Sequence, residues 1–284
     1  MDRIEVSYRY DGTFAGFLTC VYEAYINREP PADFRPQGCP LCSLYPERAV
    51  VTHQGHAKRV FRSFKEKFGG PGQNMVARGF LTCMEDKELW LWRLIQLGYD
   101  QGPSVTKNLA DPTVDRVRRA VQHLNSEAHL LTGFVRFSDA GGVLAGEITP
   151  KNRVLPLLRP HFCGRLSTER FVLYDRTHRE ALFAQPGRWA ILPVDDFRLG
   201  PPSGEERDFR AMWRAFYQTI SIEGRYNPKC RQTHMPKRYL ENMTEFQTDE
   251  PESPLPSAAP ENRALPGKCG AEVLAQRAGL FDAF

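Results

Sequence analysis

The chain has 284 residues, 41% of them hydrophobic and 25% charged, with a formal net charge of +4. That composition is ordinary for a globular protein that buries its own core, it holds no run of roughly 18 apolar residues for a membrane helix, and the mild positive charge does not by itself prove nucleic-acid binding. The start, Met1-Asp2-Arg3-Ile4-Glu5, has no apolar leader core, so a cytoplasmic location is expected, and the seven cysteines then do not imply a disulfide framework.

Residues 4–10 alternate apolar and polar side chains and predict a strand. Asp11-Gly12 makes a turn and Thr13 can cap a helix over residues 14–28, with Phe17, Val21, Ala24 and Tyr25 on one face. Residues 30–56 read as an irregular insertion rich in proline and cysteine. A helix over residues 57–68 carries Val60, Phe61, Phe64 and Phe68 at helical spacing, and Gly69-Gly70-Pro71-Gly72 should stop it. Residues 75–98 read as one long helix or two short ones. Pro112 opens another that runs to about residue 131, with Val114, Val117, Val121 and Leu124 inward.

The pattern then turns to strands. Residues 133–137 and 143–148 flank Asp139-Ala140-Gly141-Gly142, which predicts a hairpin. A short helix over residues 155–166 follows. Residues 170–175 and 180–184 give a second hairpin turning near Thr177-His178, and residues 189–192 could add a strand. A last helix over residues 205–223 places Phe209, Met212, Trp213, Phe216, Tyr217 and Ile220 inward. Sequential hairpins imply antiparallel pairing. The expected fold is therefore α+β, with helical layers around an antiparallel sheet built from two hairpins and the N-terminal strand. It would form a single domain over residues 1–247. Residues 248–284 shift to Pro, Ser, Ala and Glu and are expected to be a disordered linker ending in a short apolar motif.

Candidate chemistry falls in a few places. Glu127, His129 and Arg136 lie at a helix-to-strand junction, where an imidazole and a carboxylate could do acid–base work; the plain alternative is a helix end with a hydrogen-bonded histidine. His123 and Glu127 share a helix face, while His129 lies round the helix. His161 and Arg165 project together at i and i+4, and a guanidinium suits phosphate. Asp175 with Arg176 ends a strand near enough to join them, or to form a structural Arg165–Asp175 pair. Near the C-terminus, Arg225, Lys229, Arg231, Lys237 and Arg238 interleave with Tyr226, His234 and Tyr239. Such cations can contact phosphates and such rings can stack on bases. Cys39, Cys42, His53 and His56 have the donor types of a tetrahedral zinc site, so zinc is the one cofactor considered. Their spacing is tighter than the usual finger, and the weight falls on an unmetallated loop. There is no P-loop, no nucleophile elbow and no three-cysteine radical-SAM cluster.

Several segments in order carry a family resemblance: Tyr10-Asp11-Gly12-Thr13-Phe14; Glu127-Ala128-His129 leading into Gly133-Phe134-Val135-Arg136-Phe137; Asn152-Arg153-Val154-Leu155-Pro156 with Pro160-His161-Phe162 and Arg165; Asp175-Arg176; Trp213-Arg214-Ala215-Phe216-Tyr217; Arg225-Tyr226-Asn227-Pro228; and Met235-Pro236-Lys237-Arg238-Tyr239. Over about residues 4–245 the chain resembles a bacterial domain-of-unknown-function family described as probable DNA metabolism or putative DNA repair proteins. The resemblance implies association with a radical-SAM DNA repair or modification protein and with uracil-DNA glycosylase-family domains, and it brings no established catalytic residue set.

With the basic stretch, this leads to the expectation of a DNA-associated repair or base-modification accessory protein acting with a partner enzyme. The competing expectation is a hydrolase or transferase acting on DNA or a nucleotide, with His129 or His161 as acid or base and Arg136 or Arg165 on phosphate. A third is an adaptor that binds protein only. Convergence of His129, His161, Arg165 and Asp175 in a polar cleft would favour the enzyme. The C-terminal segment from Gln276 to Leu280-Phe281 loosely resembles the short peptides that bind the replication sliding clamp; folding back onto the chain's own core is the equal alternative.

Overall fold

The alternating N-terminal segment forms β1 (Val6–Tyr10) in a computed structural model of the protein, which describes residues 5–39, 43–195, 197, 203–220, 227, 235 and 237–246. Thr13 caps α1 (Phe14–Asn27) as its position predicts, its hydroxyl accepting from the Gly16 N–H at 3.0 Å. The expected irregular insertion instead holds two short strands, β2 (Pro31–Pro36) and β3 (Glu47–Ala49), and both pair parallel with β1 in the order β2-β1-β3. Proline at both ends of β2 hid it from the sequence pattern. Such a strand is tolerated only at a sheet edge, which is where it sits.

α2 (Gln54–Phe80) consists of two helical limbs, and the first ends at Gly69-Gly70-Pro71-Gly72, where the sequence predicts a stop. It kinks there: Phe68 and Gly69 leave helical geometry, with Gly69 at φ +80°. Glycine allows that angle, and Pro71 falls in the opening turn of the second limb, where no N–H is needed. Phe68 fills the bend. A Cβ at Gly72 would collide with its ring, and one at Gly98 would lie 2.7 Å away. α3 (Lys87–Gln101) follows and ends in a 3-10 turn, Gly102–Lys107. Asp111 then caps α4 (Pro112–Phe134), its carboxylate accepting from the N–H groups of Thr113 and Val114 at 2.8 and 3.3 Å.

The described chain divides into two compact units, the first being Met1–Glu127 with Lys151–Arg153. Its core is aromatic. Phe14 and Phe17 of α1 meet Phe80 of α2 at ring distances of 5.1 and 5.7 Å, and Phe17 meets Phe34 of β2 at 5.2 Å. One polar link crosses it: the buried Tyr10 phenol donates to Glu88 of α3 at 2.8 Å. Burial, with Glu88 beside it, holds that phenol protonated far above the usual tyrosine range.

The second unit comprises Ala128–Pro150 and the chain from Val154 onward. It contains β4 (Ser138–Asp139), β5 (Leu144–Ile148), α5 (Leu155–Arg165), β6 (Phe171–Asp175), β7 (Glu180–Gln185) and β8 (Arg188–Pro193), with α6 (Gly204–Thr219) after them. The five strands form one sheet in chain order. The fold is α+β, with several helices about two sheets, and the single antiparallel sheet of the sequence reading is corrected in two respects. The N-terminal strand belongs to the separate parallel sheet, and β5 pairs parallel with β6, because α5 is a crossover between them. The β6–β7 and β7–β8 hairpins are antiparallel as expected, whereas the first hairpin is only Ser138 and Asp139 against Ala145 and Leu144, since α4 runs on to Phe134.

α6 departs from expectation in another way. Its apolar stripe faces outward: Phe209, Met212, Trp213, Phe216 and Ile220 are all exposed. Periodicity identified the stripe and could not say whether a neighbour covers it. No described helix is long and apolar enough to cross a membrane, and residues 247–284, including the proposed linker and clamp motif, lie outside the described residues.

Within the second unit, Glu147 on β5 is half-buried, and burial raises its carboxyl above the ordinary value, with Arg176 opposing in part. A raised folded-state value means the fold holds this proton more tightly than the unfolded chain. That contribution is present below the ordinary glutamate range and is lost as pH rises through the folded-state value. Glu147→Gln should therefore raise the urea midpoint relative to wild type at about pH 7, and the gain should vanish at about pH 4. Equal midpoints at both pH values would remove Glu147 as a burdened carboxylate.

Candidate functional site

α4 carries His123 and Glu127 one turn apart on one face, as their spacing predicts. A loop 25 residues further on completes a node around them, with Glu127 buried and His123 at its exposed edge. The Glu127 carboxylate accepts from the backbone N–H of Lys151 at 3.0 Å and of Asn152 at 2.9 Å, and from the Asn152 side-chain amide at 2.6 Å. Glu127 and Asn152 are 2% and 1% exposed. The Asn152 carbonyl oxygen accepts from the backbone N–H of Cys83 at 2.9 Å, and the Arg153 N–H donates to the Leu81 carbonyl at 2.9 Å.

That arrangement fixes orientation. The Cys83 N–H can only donate, so the Asn152 oxygen must face it and the amide nitrogen must face Glu127 and His123. The His123 Nδ1, 3.0 Å from that nitrogen, therefore accepts, and its proton sits on Nε2. Glu127 has donors on both oxygens, which makes it a positioning carboxylate. Cys83 is an exposed free thiol beside this node. The His123–Glu127 spacing is visible in the sequence, whereas the available signal for Asn152 is its place in the Asn152-Arg153 motif.

Of the other residues singled out for catalysis, His129, Arg136, His161, Arg165 and Asp175 fall in the second unit, and among the described residues no hydrogen bond or ion pair joins any two of these five. His129 is exposed, its carbonyl accepting from the Thr132 hydroxyl. Arg136 donates to the carbonyls of Gly133 and Val135 at 2.9 and 3.2 Å, tying the end of α4. His161 and Arg165 are both exposed on α5, with His161 edge-on to Phe162. Asp175 is wholly buried, and its partner is His178, not Arg165. One oxygen accepts from the N–H groups of Thr177 and His178 at 3.0 and 3.1 Å, and the other lies 2.6 Å from His178 Nδ1. The pair closes the β6–β7 turn, in which Arg179 adopts φ +53°. A carboxylate that accepts at Nδ1 fixes a proton on that nitrogen and orients the ring.

Of the C-terminal basic set, Arg225, Lys229 and Arg231 lie outside the described residues. Lys237 is exposed. Tyr239 is 1% exposed, with its ring 5.6 Å from Phe134 and its hydroxyl accepting from Arg238 at 2.6 Å. That ring is packed in the core and is not presented to a base. The zinc reading is corrected. Among the described residues no group of three or more His, Cys, Asp or Glu could hold a metal. His53 instead caps α2, its Nδ1 accepting from the His56 N–H at 3.2 Å, and the His56 ring stacks on Tyr22 at 4.0 Å; Cys39 is a free thiol, and Cys42 lies outside the described residues.

The first limb of α2 presents a surface that was not singled out. Residues 54–68 hold Lys58, Arg59, Arg62, Lys65 and Lys67 against the single carboxylate Glu66. All five cations are exposed, and none forms an ion pair among the described residues. Five other arginines of this unit are ion-paired: Arg9 with Glu47, Arg35 with Asp33, Arg48 with Glu29, and Arg118 and Arg119 with Asp115. Beside the cationic limb runs a line of rings, His53 against His56 and His56 against Tyr22, then Tyr25 against Tyr99 and Trp92. No curated protein and no solved structure matches the chain. The domain of unknown function DUF4130 matches residues 85–245, more than half of the 284-residue chain, and the chain belongs to that family.

Proposed function

We propose that the protein is a DNA-associated accessory of a repair or base-modification enzyme. The observation that carries this reading is the first limb of α2, five exposed cations without carboxylate partners among the described residues. A helical limb with five exposed cations and one carboxylate suits a polyanion, because each lysine or arginine laid on a phosphate releases a condensed counterion. The dispersal of His129, Arg136, His161, Arg165 and Asp175 into separate local contacts supports an accessory over a hydrolase or transferase. The exposed stripe of α6 supports the partner half of the reading, since an amphipathic helix lays such a face into a protein groove. By the resemblance that partner is a radical-SAM protein, and Gln276 to Phe281 would supply a sliding-clamp contact.

Binding of the full chain to a labelled duplex, measured across salt concentrations, tests this. Replacing Lys58, Arg62 and Lys65 together by Ala should weaken binding and flatten the salt slope by about one unit per lost phosphate contact. A companion variant of Arg225, Arg231 and Lys237 measures the C-terminal stretch in the same way. Unchanged affinity and slope in both folded variants would end the DNA reading.

A further inference from the structure

Two cavities open side by side on the face formed by α1, α2 and α3, and Tyr25 lines both. The larger, about 390 Å³, is bounded by Tyr22, Tyr25, Tyr99 and Arg59 over a floor that includes Val21 and Val60. The smaller, about 250 Å³, is bounded by Tyr25, Trp92, Arg28 and Gln96. Tyr25 stands between aromatic neighbours, 5.0 Å from Trp92 and 5.6 Å from Tyr99, and it is 43% exposed. Tyr99 is steadied by a 2.7 Å hydrogen bond between its hydroxyl and that of Ser63. Each cavity therefore has flat walls and one guanidinium, and neither Arg28 nor Arg59 is ion-paired among the described residues.

We infer that this groove takes a short run of unpaired nucleotides, with successive bases in the two cavities and Tyr25 as the shared wall between them. The inference rests on the DNA reading above and adds the strandedness of the substrate. Three features select this occupant. Aromatic walls accept any base by its face, and that face is available only where the base is unpaired and unstacked. Arg59 and Arg28 sit one at each cavity, where phosphates flanking a base would lie. The cationic limb of α2 continues from Arg59 through Arg62 and Lys65, so charge complementarity extends along the strand beyond the cavities. Asp100 is the carboxylate felt at Tyr25, and with Glu66 of the limb it makes two negative charges beside the limb's five positive ones. Gln96 offers a donor and an acceptor to a base edge.

The test uses the full chain with a labelled oligothymidylate of about twelve nucleotides and a duplex of equal length. The single strand should bind more tightly than the duplex. Tyr25→Ala should weaken single-strand binding about 5- to 100-fold while leaving the salt slope unchanged, because stacking releases no counterions. Tyr25→Phe should bind like wild type. Tyr25→Leu, which keeps bulk and removes the flat ring, should lose affinity as Ala does and serves where Ala disturbs the fold. Equal affinity for single strand and duplex, or wild-type binding by folded Tyr25→Leu, overturns the groove assignment. Should the α2 cations still govern a salt-dependent affinity in that event, the DNA reading survives without the groove. Absence of binding to either probe overturns both.

Discussion

Glu127→Ala should cost about 3–5 kcal/mol of unfolding free energy, among the largest losses expected from any single change in the chain. Removing the carboxylate leaves the N–H groups of Lys151 and Asn152 and the Asn152 amide without their acceptor, and both Asn152 groups are buried. It also frees the loop whose Asn152 and Arg153 hold the end of α2 through Cys83 and Leu81. Glu127→Gln should fall between Ala and wild type, because one half of the amide would turn a donor toward a backbone donor. His123→Ala removes one partly exposed hydrogen bond and should cost about 1 kcal/mol. Urea unfolding of the three variants checks the order. A loss for Glu127→Ala no larger than that for His123→Ala would show that the node does not hold this unit together.

Asp175→Ala should be the second large effect, at about 3 kcal/mol. The carboxylate is fully buried and supports two backbone N–H groups as well as the His178 ring. His178→Ala keeps the backbone part of that turn and should cost about 1–2 kcal/mol. Arg165→Ala should stay within about 0.5 kcal/mol, because the side chain is exposed and makes no contact with Asp175. Thermal or urea unfolding separates these outcomes. A loss of several kcal/mol on removing Arg165, with little effect from His178→Ala, would restore Arg165 as the partner of Asp175 and reverse the assignment.

Both sites show how far spacing carries an argument. His123 and Glu127 were legible as neighbours because helix period is a local property. Asp175 was legible as a strand-end carboxylate, and the turn after it was legible at Thr177-His178. The error lay in giving Asp175 a distant arginine when a histidine three residues on could reach it through a turn. Asn152 was invisible as a ligand of Glu127, since nothing local to either residue encodes a contact 25 positions apart. The cationic limb of α2 stood in the sequence as five basic residues in fifteen. It gained significance only when packing set Tyr22 and Tyr25 of α1 and Tyr99 of α3 alongside it.

The sequence by itself determined most helices and strands, the cap at Thr13, the helix start at Pro112, the α+β class, and the turn between β6 and β7. These follow from backbone preferences and hydrophobic periods that act over a few residues. Only the tertiary structure decided the rest. It started a second helical limb directly after the Gly69 stop, with Phe68 packed into the bend, and paired β1 with two proline-bounded or very short edge strands in parallel. It left the apolar stripe of α6 uncovered, buried the Tyr239 ring, and used His53 and His56 as a cap and a stacking ring. In each case the deciding quantity is what lies opposite a side chain in space. Periodicity gives the direction of a side chain, and only the packed chain supplies its neighbour.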